Sequence, residues 1–121
     1  MTDSEQPNEF LPLKPNWFYV MLSLADGEQH GYGIMREVLE RTDGKVHLWP
    51  ATLYGTLKRL TDEDLVEEAA ARRPAGDDPR RRYYRLTRLG RKVLAAESSR
   101  LEDLVRLVHA KRGLNPGRAA T

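Results

Sequence analysis

The sequence contains no cysteine and only three histidines, and it has no apolar run near the ~20 residues that span a bilayer. Without cysteine, disulfide frameworks, thiolate-bound zinc and thiol catalysis are excluded. The histidines, at positions 30, 47 and 109, lack metal-ligand spacing, and no phosphate loop or nucleophile motif is present. We therefore expect no enzyme activity, no catalytic residue, no metal site and no cofactor. The acidic, polar N-terminus is unlike a signal peptide, so we expect a cytoplasmic protein without membrane contact.

Positive charge is concentrated in one stretch of a nearly balanced chain. The 121 residues carry a net charge of +2, whereas nine cations and two anions between Arg72 and Lys92 give that stretch +7. Residues 80–90 read RRRYYRLTRLG, which sets five arginines beside two tyrosines. Such segregation favours a surface that binds a polyanion. A plain solvated patch remains the alternative on charge alone.

The first half of the chain contains patterns of two helices and a short strand. One helix follows Pro15, with Asn16 as its N-cap, and continues through WFYVMLSLA to Asp26-Gly27. Its residues are apolar on nearly every face, so it is either central in the fold or covered by a second chain. The second helix lies in HGYGIMREVLERTDG, and VHLW at 46–49 predicts a short strand.

A third helix is predicted over 50–63, opened by Pro50 at its first position. The residues Leu53, Leu57 and Leu60 share one face at helical spacing. At about 100° per residue, the opposite arc carries Ala51, Thr52, Tyr54, Gly55, Lys58 and Arg59. A polar arc with small residues at its centre can approach a partner closely, although an ordinary amphipathic helix shows the same pattern.

The last third of the chain predicts a β-hairpin and a long helix. Turn residues in PAGDDP separate LVEEAAARR from RRYYRLT, a pairing that sets Glu67 opposite Arg85. Alternation puts Tyr84 and Leu86 on one face, so we expect packing there and not base stacking. A helix capped by Thr87 then continues to about residue 112, with an apolar seam suited to a second copy of the chain.

Four motifs in this order resemble the PadR-like transcriptional regulators. They are HGYGI on the second helix, PATLYGTLKRL on the third, DLVEE entering the hairpin and YYRLTRLG leaving it, within residues 17–112. The chain departs from the family pattern at Trp49, Gly55 and Asp64. The resemblance implies a mostly α fold with a small β-hairpin, a winged helix-turn-helix followed by a long C-terminal dimerisation helix. Its parts would be a disordered arm (1–12), the winged helix-turn-helix (13–87), the dimerisation helix (88–112) and a flexible tail (113–121).

The resemblance also implies a function. A homodimeric repressor would bind double-stranded DNA at an inverted repeat through the helix 50–63 and a basic wing at 72–82, with relief by a small aromatic ligand. Trp17 would line the ligand pocket, between the first and last helices, and the alternative is that Trp17 only packs at an interface. The residues expected to contact DNA are Tyr32, Ala51, Thr52, Tyr54, Lys58, Arg80, Arg81 and Arg82. The alternative is a winged-helix module that makes protein–protein contacts, and the basic wing argues against it.

Overall fold

The computed structural model describes residues 6–70, 76–111 and 113–114. In chain order, these contain a 3-10 turn (Pro7–Phe10), α1 (Pro15–Ser23), β1 (Gln29–His30), α2 (Gly31–Arg41), α3 (Pro50–Asp62), β2 (Val66–Ala69), β3 (Tyr83–Leu86) and α4 (Arg88–Ala110). The expected fold class, mostly helical with a small sheet and a long last helix, is confirmed. No helix in the described parts is both long enough and apolar enough to cross a membrane.

The hairpin has the predicted register. Glu67 lies opposite Arg85, whose Nε donates to Glu67 Oε2 at 2.8 Å. Tyr84 and Leu86 are buried on the inner face, as expected from the alternation. Asp64, just before β2, has a φ of 64°, in the left-handed region that favours glycine and that aspartate tolerates better than most residues.

A further strand was not predicted. The sheet has the order β1-β3-β2, because Gln29 and His30 pair antiparallel with the free edge of β3. The predicted strand at 46–49 is wrong, since those residues form an irregular connection between α2 and α3. β1 therefore ties the start of α2 to the hairpin, which brings both to one side of the domain.

The third helix is confirmed over Pro50–Asp62. Pro50 occupies its first turn after Trp49, whose backbone is extended. Leu53, Leu57 and Leu60 are at most 2% exposed and anchor the helix to the core. The opposite arc is therefore held at the surface.

α1 begins two residues earlier than expected. Lys14 is the extended residue that precedes the helix, and Pro15 is its first helical position. Asn16 lies inside the first turn, so its prediction as the N-cap is wrong. The helix ends at Ser23 and packs on α2, α3 and α4. It is central in the protomer, and of its apolar side chains Leu22 is still 43% exposed.

The N-terminal segment packs on α4. Of the predicted disordered arm, residues 1–5 lie outside the described residues, whereas Pro7–Phe10 form a 3-10 turn against α4. Phe10 and Leu11 pack against the hydrophobic core. Just beyond the arm, the Leu13 N–H donates to Glu97 Oε2 on α4 at 3.1 Å. The prediction of disorder is therefore wrong for residues 7–11.

Glu97, which lies on α4, accepts this hydrogen bond as a charged carboxylate. It is 2% exposed, and Arg100 Nε donates to its Oε1 at 2.6 Å. The hydrogen bond from Arg100, helped by the Leu13 N–H, holds the pKa of Glu97 below its ordinary value of 4.5 against the opposing effect of burial. Because the folded pKa is lowered, this stabilisation is fully present above pH 4.5 and is lost as pH falls through the folded value.

We expect Glu97→Gln to lower the free energy of unfolding at pH 7 by about 1–2 kcal/mol, because it removes a charged hydrogen-bond acceptor for Arg100. The measurement is urea unfolding at pH 7 and again below pH 4.5. The difference between the two proteins should shrink in acid. Glu102→Gln, at an exposed position of α4, is the control and should unfold like the wild type. Equal stability of all three proteins at pH 7 would contradict this role of Glu97.

α4 is capped as predicted. Thr87 Oγ1 accepts from the Gly90 N–H at 2.9 Å and donates to the Asp64 carbonyl at 2.6 Å. A Cβ at Gly90 would overlap the Leu65 carbonyl, so only glycine allows the helix to approach the hairpin this closely. Of the predicted flexible tail, only Gly113 and Leu114 are among the described residues.

The apolar seam of α4 divides into two parts. Val93, near its start, is fully buried in the core. At ~1.5 Å per residue, the 23 residues of the helix reach roughly 35 Å, and its second half extends past the core. Four apolar side chains there are between 43% and 61% exposed: Leu104, Val105, Leu107 and Val108. We call these four residues the exposed stripe.

Candidate nucleic-acid interface

The outer arc of α3 is exposed in full. All six residues predicted for that arc are at the surface: Ala51, Thr52, Tyr54, Gly55, Lys58 and Arg59. Tyr54 is half exposed, and nothing lies within 4 Å of a Cβ built on Gly55. The arc therefore has hydrogen-bonding side chains around two small residues, Ala51 and Gly55, where another molecule can approach the helix backbone.

Tyr54 lies against the start of α2. Gly31 is buried, and a Cβ there would overlap the Tyr54 hydroxyl. The glycine thus allows the ring to pack beside the α2 N-terminus while half of it stays exposed. This contact fixes one edge of the α3 arc.

A concavity of about 490 Å³, which we call the wing concavity, opens between α3 and the wing. Five of the eight predicted DNA contacts line it: Tyr32, Tyr54, Arg80, Arg81 and Arg82. Ala51, Thr52 and Lys58 are not in its lining. The structure therefore brings together side chains from three separate segments into one basic, aromatic surface. Arg72 and Arg73, the other cations of the predicted wing, lie outside the described residues.

Each of the three wing arginines that the structure describes pairs with a carboxylate in the free chain. Arg80 makes two contacts of 3.2 Å with Asp78, Arg81 lies 2.9 Å from Asp77, and Arg82 lies 3.5 Å from Glu68. The three arginine side chains are 90%, 41% and 70% exposed. The Arg80–Asp78 and Arg82–Glu68 pairs are exposed on both sides and stabilise little, so a phosphate can replace those carboxylates, whereas the Asp77 side chain is only 3% exposed. The wing is cationic but partly neutralised.

Asp77 is held in its charged form. Tyr83 donates its hydroxyl proton to Asp77 Oδ2 at 2.8 Å, and together with Arg81 this lowers the pKa of Asp77. The carboxylate therefore stays ionised at neutral pH and orients the Arg81 guanidinium. Asp77 thus positions Arg81 at the mouth of the wing concavity.

His30 joins α2 to the wing, a role that the sequence did not suggest. Its Nδ1 accepts from the Gly33 N–H at 3.1 Å and so caps α2, and its ring meets Tyr83 edge-on at 5.3 Å. Burial, with the positive charge of Arg81, lowers the pKa of His30 against the opposing effect of Asp77. A neutral ring suits the acceptor role of Nδ1. Its place directly before GYG, at a helix start, is the one sequence signal for such a cap.

Tyr32 is a surface residue. It is 54% exposed and its ring lies parallel to that of His30, with centroids 6.5 Å apart. The sequence also allows Tyr32 to be a core ring with only its hydroxyl at the surface, and this exposure shows that alternative to be wrong. The ring is available to a partner at the edge of the wing concavity.

Trp17 lies elsewhere than expected. The sequence suggested a ligand pocket between the first and last helices, but the concavity beside Trp17 opens between α1 and α3. It has a volume of about 390 Å³, and we call it the Trp17 concavity. Its lining includes Lys14, Asn16, Trp17, Ala51, Thr52, Gly55 and Arg59. The predicted DNA contacts Ala51 and Thr52 thus share a surface with Trp17.

The remaining predicted contact, Lys58, lies on the outer arc with a side chain that is 76% exposed. Its Nζ is 3.2 Å from Asp62 one turn further along α3. This exposed pair leaves the ammonium free to exchange partners. No cluster of histidine and acidic side chains within the described parts is arranged to hold a metal ion.

Two sequence comparisons show which family of proteins this chain resembles. The profile of the transcriptional regulator PadR-like family matches residues 20–96. The transcriptional regulator Rv3488 of Mycobacterium tuberculosis is 36% identical over 90 residues, which cover 74% of this chain and 78% of that protein.

Two solved structures illustrate the similarity of fold. A PadR family transcription regulator of Clostridium difficile superposes with a TM-score of 0.68 at 24% identity, covering 79% of this chain and 96% of that one. Bacillus subtilis PadR, solved in complex with operator DNA, superposes with a TM-score of 0.59 at 24% identity, covering 69% and 46%.

Proposed function

Because the chain belongs to the transcriptional regulator PadR-like family, we propose that it binds double-stranded DNA as a homodimer and represses transcription from an inverted-repeat site. α3 would enter the major groove, and the wing would meet the adjacent backbone or minor groove. The protein would act in the cytoplasm and without catalysis.

The observation that carries this proposal is the convergence of Tyr32, Tyr54 and the wing arginines around the wing concavity. Arginine and phenol groups bind phosphate oxygens, and together they fix a duplex against the protein. Further support is that Bacillus subtilis PadR, which shares the fold, was solved with operator DNA. A winged helix that contacts another protein would gain little from such a phosphate-binding surface.

Base reading would fall to the outer arc of α3. Lys58 can donate to guanine acceptors, Thr52 can donate or accept, and the Ala51 methyl can contact a thymine methyl. Tyr54 would bind a backbone phosphate, since its hydroxyl carries little information about the base. The leucine anchors beneath α3 keep these side chains in fixed relation to the wing.

The dimer would form through the exposed stripe on α4. Four large apolar side chains in one helical segment are a larger patch than scattered surface residues, and such patches mark interaction sites. α1 contributes the exposed Leu22 as a second apolar surface. Two chains related by a two-fold axis would present two α3 helices to successive major grooves.

A small aromatic effector remains part of the proposal, with Trp17 as its contact. Because Trp17 shares a concavity with Ala51 and Thr52, an effector bound there would compete with DNA directly. Relief of repression would then follow from displacement, with no change of fold required.

A test of base reading is the replacement of Lys58 by alanine. We expect the preference of the variant for an operator, selected by the wild type from a random library, over a scrambled duplex to fall by about 1–3 kcal/mol per half-site, because one base contact is lost at each half-site. Competition binding with the two duplexes measures the ratio. Glu63→Gln, an exposed charge change just after α3, is the control and should keep the wild-type preference. A Lys58→Ala variant that retains the full preference would contradict the assignment, and no duplex binding by the wild type would favour the protein-contact alternative.

A further inference from the structure

The outer arc of α3 has two flanks. Taking about 100° per residue from Tyr54, the arc passes Lys58, Ala51 and Gly55 before it reaches Arg59 and Thr52. Tyr54 lines the wing concavity, and Arg59 and Thr52 line the Trp17 concavity. The face expected to meet bases therefore lies between two depressions, one on each side.

The flank beside α1 carries two exposed cations, Lys14 and Arg59. Neither forms an ion pair within residues 6–70, 76–111 and 113–114, whereas Arg80, Arg81 and Arg82 each have a carboxylate partner. Lys14 instead lies over the Trp17 ring, with its Nζ 5.6 Å from the ring centroid. The Trp17 concavity is thus the less neutralised of the two basic surfaces.

The α3 surface at the base of the Trp17 concavity includes two small residues. Ala51 and Gly55 have small side chains, and the space above Gly55 is open. A chain of phosphates and sugars can therefore pass close to the α3 backbone here. Trp17 forms a partly exposed apolar wall, against which deoxyribose carbons can pack.

We propose that the Trp17 concavity binds the DNA backbone of the strand opposite to the one bound by the wing, with Lys14 and Arg59 as phosphate contacts. This inference rests on the proposed function. A helix of 10–12 Å diameter fills a major groove about 12 Å wide, so a phosphate backbone passes on each side of it. If the wing concavity takes one strand, the other strand passes along the flank beside α1.

The test uses the full-length protein and a fluorescent duplex selected by the wild type from a random library. Lys14→Gln and Arg59→Gln should each remove two phosphate contacts per dimer, lowering the slope of log K against log salt by about 1.8 and the affinity near 0.15 M salt by about 30-fold. Arg59→Lys keeps the charge and should retain most of the slope. Lys111→Gln, which removes an exposed cation just after the C-terminal end of α4, is the matched control and should leave the slope unchanged.

A second readout is the emission of Trp17 in a Trp49→Phe background. Addition of DNA should change this emission, because the backbone covers the ring. Wild-type slopes in both Gln variants, with no change in emission, would overturn the inference while leaving the wing-mediated function in place. If the wild type binds no duplex in a salt-dependent manner, the proposed function and this inference fail together.

Discussion

Replacing Leu104 and Val108 by glutamate will convert the protein to monomers and weaken its binding to an inverted repeat by about 10²–10⁴-fold. Both side chains lie on the second half of α4 and are more than 40% exposed in the part of the chain that the structure describes. Charges at these positions would have to be buried without partners in a dimer, which is strongly unfavourable. A monomer still carries one α3 and one wing, but it loses the gain from engaging two half-sites at once.

Sedimentation measures whether the variant is a monomer, and titration of the selected duplex measures its affinity for DNA. Ser99→Glu adds one charge at an exposed position on the opposite side of α4 and is the matched control. It should remain dimeric and bind DNA like the wild type. A double variant that stays dimeric, or that binds as a monomer with unchanged affinity, would contradict the role given to the stripe.

Replacing the three described wing arginines by glutamine will lower affinity for every duplex, specific or not, by up to about 10⁴-fold near 0.15 M salt. Arg80, Arg81 and Arg82 would contribute six phosphate contacts in a dimer, so the slope of log K against log salt should fall by as much as about 5. The carboxylates that pair with these arginines in the free chain reduce the gain from binding phosphate. The measured loss of affinity and the measured fall in slope should therefore be somewhat smaller than these values.

Sequence preference separates this effect from that of Lys58→Ala. The wing variant should keep the wild-type ratio between the selected operator and a scrambled duplex, because phosphate contacts carry no base information. Lys111→Gln is again the control for removal of a cation outside the basic stretch. An unchanged salt slope in the wing variant would show that the arginines do not meet DNA.

Local patterns predicted the elements that carry the proposed interface. The leucine spacing on α3 and the alternation in β3 each depend on residues within one element, and both predictions are confirmed. The Glu67–Arg85 register followed because the turn residues between the strands fix how they pair. These parts were predictable since short-range spacing determines which face is buried.

Long-range packing accounts for the errors. β1 has only two residues, too few for any periodicity, and it exists because β3 has a free edge at that point. The N-terminal segment is ordered because Phe10 and Leu11 find an apolar surface, and because the Leu13 amide meets a carboxylate 84 residues away. Neither partner is visible from the local composition.

The concavity beside Trp17 opens towards α3, and not towards the last helix as the resemblance implied, for a related reason. An apolar residue at the start of a central helix can face several neighbours, and the sequence alone does not say which. In the structure it faces α3, which changes the expected result of ligand binding from a remote effect to direct competition with DNA. The ion pairs of the wing were also not predicted. The net charge of a stretch does not show which carboxylates lie close to which arginines in the fold.

The central claim is that two α3 helices, held by a dimer, read successive turns of one duplex. Its most direct test is the affinity of the wild type for the selected inverted repeat with 5 or 10 base pairs inserted between the half-sites. The account predicts that the 5-base-pair insertion weakens binding severely, since it rotates one half-site to the far side of the duplex, and that 10 base pairs restore much of the affinity. Equal affinity for all three duplexes would contradict it.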